Sequence, residues 1–128
     1  MPVTVEGDTP AELPARRWAR EAARAADDKF GQDTVVIDVG DVLVVTDYFV
    51  ITSGDNRRQV RALVEDIEEH ISEEGGPKPV RIEGLDTLEW VLMDYGDFVV
   101  HVFEPESRAF YQLERLWGDR PRVAFADA

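Results

Sequence analysis

Asp94, Asp97 and His101 stand close together in the stretch EWVLMDYGDFVVHVF, residues 89–103. Carboxylates beside an imidazole are the side chains that hold a divalent metal or share a proton in acid–base catalysis. Asp38 and Asp41 add further oxygen ligands. The spacing argues against either chemistry. Asp94 and Asp97 flank a turn and point in different directions, no D-x-D follows a strand, and there is no H-E-x-x-H. The other histidine, His70, falls on the acidic side of a helix, where solvent is its expected partner. Ser53-Gly54 lies between a strand and a helix, as a nucleophile elbow does, but without the G-x-S-x-G pattern. The same turn, with Arg57 and Arg58 beside it, offers a helix N-terminus to an anion, yet one glycine makes no P-loop.

The elements that position these residues follow from periodicity. Thr9-Pro10-Ala11-Glu12 matches a capping box, with Pro14 as a competing start, for a helix running through Trp18, Ala22 and Ala26 to Gly31. Thr34–Val39 and Tyr48–Ser53 are rich in β-branched and aromatic residues and predict strands, joined by a connection that is apolar over Val42–Val45. Asn56 with Gln59 caps a helix over Arg57–Glu74, whose stripe is Val60, Leu63, Val64, Ile67 and Ile71. Pro79–Gly84 predicts a short strand with Val80 and Ile82 inward. Leu88–Tyr95 and Phe98–Phe103 form a hairpin about Gly96-Asp97. A last helix opens at Glu104-Pro105, with a stripe of Ala109, Phe110, Leu113, Leu116 and Trp117. The order α-β-β-α-β-β-β-α predicts one α/β (α+β) domain over residues 9–119: a five-stranded mixed sheet with three helices. Residues 1–8 and 120–128 read as N-terminal and C-terminal tails.

The hairpin register sorts its side chains. Tyr95 faces Phe98, Met93 faces Val100, and Val91 faces Val102, an apolar face for the core. Trp90, Leu92 and Asp94 lie on the other face against Phe103, His101 and Val99, with Asp94 and His101 diagonal and within reach of a hydrogen bond. In the neighbouring strands Val35, Ile37 and Val39 share one side, while Phe49 and Ile51 are expected inward, on the helix-covered face. The second face then mixes aromatics with acids, and such a patch marks a binding surface unless the first or last helix covers it.

The net charge of the 128-residue chain is −13, which disfavours direct contact with nucleic acid as the main activity and favours a basic protein partner. No Lys or Arg occurs from Ile82 to Ser107, where Glu83, Asp86, Glu89, Asp94, Asp97, Glu104 and Glu106 all fall. There is no cysteine. No apolar run approaches the length of a membrane span, and a cytoplasmic location is the expectation.

DYFVITSG at Asp47–Gly54, RQV at Arg58–Val60, EG at Glu83-Gly84, WVLMDYGDFVVHVF at Trp90–Phe103 and FYQLERLWGD at Phe110–Asp119 together resemble the Iojap-like family, the ribosomal silencing factors. The likeness spans nearly the whole chain. It implies a fold like that of nucleotidyltransferases without their catalytic carboxylates, no catalysis and no cofactor. It implies binding to the large ribosomal subunit through large-subunit ribosomal protein fourteen, a block on subunit joining when nutrients run short, and a homodimer in isolation. On that reading Trp90 anchors the partner, Asp94 pairs with a basic side chain and His101 orients Asp94. Leu92, Asp97 and Phe103 complete the surface, and Tyr111, Glu114 and Arg115 of the closing helix are further candidates. The competing expectations are a divergent nucleotidyltransferase using Asp94 or Asp38 with a divalent ion, and a structural module whose second face is its dimer interface.

Overall fold

A computed structural model describes residues 13–40, 43 and 45–125. The capping box at Thr9–Glu12, Asp41, and Val42 and Val44 of the Val42–Val45 connection lie outside the described residues. Within them, helix α1 is Pro14–Asp28, and Pro14 stands where a missing N–H costs nothing. Ala19, Ala22, Ala23, Ala25 and Ala26 are its buried face, small enough to bring the helix close to its neighbours. Strands β1 (Gln32–Asp38) and β2 (Tyr48–Ser53) lead to helix α2, Arg57–Glu73. The Asn56 side chain accepts from the Gln59 N–H at 2.9 Å, and the expected stripe from Val60 to Ile71 is the buried one. Strands β3 (Arg81–Glu83), β4 (Trp90–Asp94) and β5 (Phe98–Phe103) follow. The closing helix is broken into α3, Pro105–Tyr111, and α4, Leu113–Leu116.

The sheet order is β1-β2-β5-β4-β3. β2 and β5 are parallel, and the other pairs are antiparallel. The hairpin has the expected register, Trp90 opposite Phe103 through Asp94 opposite Val99. The α1–α2 layer covers one face, over Val36, Tyr48, Val50, Val91, Met93, Val100 and Val102. Ile37, Val39, Ile51 and Phe103 form a second buried cluster on the other face, with Phe49, Leu113 and Trp117 packed against it.

Five expectations change. Phe49 and Ile51 face away from the α1–α2 layer, because a strand buried on both faces does not declare its orientation by alternation. Val80 is 73 % exposed, and only Ile82 packs on the core. The closing stripe does not form: Gln112 takes a left-handed conformation with φ 47°, which turns Phe110 and Leu116 out to 80 % and 73 % exposure. Residues 120–125 are not a free tail. The Asp38 N–H donates to the Pro121 carbonyl, the Val123 N–H donates to the Val36 carbonyl, and Arg122 bridges to Ile37. His70 is also tied down rather than solvated, its Nε2 lying 2.8 Å from Glu21 Oε1 and joining α2 to α1. Burial works to raise the Glu21 pKa, but the bond to His70 and the Arg24 charge outweigh it and hold the carboxyl below its usual range.

Candidate partner-binding face

On the second face, strands β3 to β5 present alternate residues: Arg81 and Glu83, then Trp90, Leu92 and Asp94, then Val99, His101 and Phe103. The closing segment does not reach all of them. Leu113 and Trp117 sit over the Ile37–Phe103 cluster, and the Tyr111 ring lies 4.8 Å from that of Trp90. Leu92, Asp94 and Val99 stay partly open, and Asp97 is exposed at the hairpin turn. The result is a strip of sheet with acids at its edge, bounded by Arg81, which pairs with Glu83 at 2.8 Å and approaches Asp94 at 3.5 Å. Arg57 closes the other side by pairing with Glu89 at 3.0 Å.

His101 and Phe103 do not belong to the open surface. They are 4 % and 0 % exposed, so neither offers area to a partner. Nor does His101 orient Asp94. Its Nδ1 accepts a hydrogen bond from Trp90 Nε1–H at 3.1 Å, while Asp94 Oδ1 accepts from the Gly96 N–H at 2.8 Å. The directly bonded pair is indole and imidazole, with Phe103 stacked on Trp90 at 4.9 Å and Phe49 edge-on to His101 at 4.8 Å. Trp90 is half-buried and supports the strip from below, so Trp90→Ala would disturb folding.

Glu114 and Arg115 do not join the strip either. Glu114 Oε2 accepts from Arg108 Nε at 3.0 Å, and Arg115 opens onto a cavity at the far end of the sheet. Arg108 itself was missed from sequence. It is 8 % exposed and donates to the Gln32 carbonyl at 2.8 Å, Ser53 Oγ at 3.1 Å and the Asp33 carbonyl at 2.6 Å. Those carbonyls converge because β1 carries a register shift between Gln32 and Val35, with Asp33 at φ 50°. Among the described residues no three of His, Asp and Glu gather as a metal site, and no helix is long and apolar enough to cross a membrane.

Burial holds the His101 pKa down to about 4, so the ring is neutral at pH 7 and accepts through Nδ1. An unfolded chain takes up that proton near the ordinary value of about 6.5. Between the two values the unfolded state binds more protons, so stability falls as the pH drops. Each unit costs about 1.4 kcal/mol, on the order of 3 kcal/mol in all. The low Glu21 pKa adds a loss of the same sign as pH falls below the ordinary carboxylate range. Urea midpoints measured from pH 7 to pH 4 should decline accordingly, and His101→Leu should flatten the upper part of that slope.

The fold and this strip describe a single α/β domain that presents part of a sheet face. Residues 12–128 match the family described as "Ribosomal silencing factor during starvation", and the chain belongs to that family, as its motifs implied. It is 43 % identical over 100 residues to the ribosomal silencing factor RsfS of Bacillus subtilis, covering 78 % of this chain and 84 % of that one. It is 39 % identical over 89 residues to the mouse "Mitochondrial assembly of ribosomal large subunit protein 1", covering 67 % of this chain and 39 % of that protein. The crystal structure of protein CV0518 from Chromobacterium violaceum superposes with a TM-score of 0.77 at 33 % identity, covering 91 % of this chain and 95 % of the other.

Proposed function

We propose that this protein binds the large ribosomal subunit through large-subunit ribosomal protein fourteen and, by its bulk at that place, blocks joining of the small subunit, lowering translation in the cytoplasm when nutrients run short. Family membership supports the silencing role, and the mouse relative is named for the large subunit. The observation that carries the choice of surface is the open strip of β3–β5. It offers apolar area at Leu92 and Val99 and carboxylates at Asp94 and Asp97, and the one Lys or Arg of those strands, Arg81, is already paired with Glu83 and Asp94. A basic protein surface is the complement of such a strip. The reading assigns the chain no catalytic step.

Co-sedimentation with purified subunits tests it. The wild type should pellet with the large subunit and not with the small. Asp94→Asn combined with Asp97→Lys keeps an acceptor for the Gly96 N–H and should weaken binding by about tenfold or more, with the urea midpoint unchanged. Unchanged binding of that variant would place the contact elsewhere, and no binding of the wild type would remove the ribosomal role. A homodimer in isolation belongs to the same proposal: exposed Phe110 and Leu116 offer apolar surface to a second copy, which a mass rising with concentration would reveal.

A further inference from the structure

β2 and β5 are the parallel pair of the sheet, and the helices that follow them leave on opposite faces. α2 packs with α1 over Val50 and Val100, whereas the closing segment lays Leu113 and Trp117 over Ile51 and Phe103. The crevice outside the carboxyl ends of two such strands is the recurrent ligand position of open α/β sheets. A cavity of about 620 Å³ opens there, between Ser53 at the end of β2 and Pro105 at the start of α3. Its volume is that of a small-ligand site.

Three arginines from separate segments line it: Arg108 of α3, Arg115 of α4 and Arg122 of the segment beside β1. Arg108 is held rigid by the four bonds described above. Arg115 and Arg122 are exposed and bond only to neutral groups, Gln112 Oε1 at 2.9 Å and the Trp117 carbonyl at 3.4 Å. Among the described residues neither takes part in an ion pair. Glu114 and Asp33 also line the cavity, but Glu114 is paired with Arg108, and three guanidiniums against two carboxylates leave the lining cationic. That is unusual in a chain of net charge −13. Guanidinium groups match phosphate geometry better than any other side chain.

We propose that this cavity binds a small phosphorylated metabolite of about nucleotide size, its phosphate taken by Arg115 and Arg122 and its body set against Arg108 and Ser53. The site lies at the end of the sheet where Trp90 pairs with Phe103, opposite the end where Asp94 pairs with Val99. It is thus separate from the open strip, and its test involves no ribosome.

The test is calorimetric titration of the full chain with GTP, ATP and inorganic pyrophosphate in turn. Saturable binding of at least one nucleotide is expected, weakened by about tenfold or more in R115Q/R122Q. Arg58→Gln, an exposed arginine outside this cavity, should leave the affinity unchanged. Absence of saturable binding with all three probes would overturn the proposal. So would equal affinity in R115Q/R122Q, or an equal loss in Arg58→Gln, which would signal only diffuse surface charge. If the double variant fails to fold, R115Q and R122Q taken singly carry the same comparison.

Discussion

Gly84→Ala is expected to be the most damaging single methyl that can be added to this domain, with a loss on the order of 3–5 kcal/mol. Gly84 follows β3 at φ 95°, and a Cβ built there would stand 2.2 Å from the Trp90 carbonyl oxygen. Two separate costs combine. A side chain at that φ is strained wherever it points, and the atom it strikes is backbone, which cannot swing aside. The turn is further fixed by the Leu88 N–H donating to the Gly84 carbonyl at 2.9 Å. Relief requires β3 to part from β4, and β3 is a three-residue edge strand with little else to hold it. A large drop in urea midpoint is the expected reading. A change below about 1 kcal/mol would mean that the turn has room the geometry does not show.

Arg108→Met should cost about 3–5 kcal/mol, the usual penalty for removing one partner of a buried charged network. Methionine keeps much of the length and apolar volume but none of the donors. Gln32 and Asp33 lose the donor to their carbonyls, and Glu114 loses its ion pair. The closing segment is held to the rest of the domain largely there, so α4 should loosen and Trp117 should become more solvent-exposed. Indole fluorescence followed beside the urea midpoint checks both. Glu114→Gln keeps an acceptor for Arg108 and should cost only about 1 kcal/mol, which separates the role of the charge from that of the hydrogen bonds.

The parts of the molecule that could be read from sequence are those where one face is dry and the other wet. The α2 stripe declares itself by its period, Asn56 by its place before that stripe, and the hairpin register by Gly96, which takes φ 86° at the turn. The orientation of β2 did not, because Val50 and Ile51 are both 0 % exposed and alternation carries no sign when both sides are buried. The closing helix misled for a different reason. Its break falls at Gln112, neither glycine nor proline, so no residue type in the sequence marks the left-handed turn. Arg108 left no trace at all, since its carbonyl acceptors lie 76 and 75 residues away. For the candidate site the acidic stretch and the pairing of Asp94 with Val99 were legible. The burial of His101 beneath Trp90 and Phe49 depends on what the closing segment covers, which no local pattern records.

The short pairing of Pro121–Val123 with β1 bears on how the chain behaves before it is complete. β1 is the outermost strand of the sheet on its side, and 82 residues separate Asp38 from Arg120. Synthesis proceeds from the N-terminus, so every other element can emerge and assemble while β1 still shows its unpaired amides. An uncovered strand edge is a template for another chain. A chain stalled or cleaved ahead of Pro121 would carry an almost complete sheet with that edge bare, and self-association through β1 is the failure to which such a fragment is exposed.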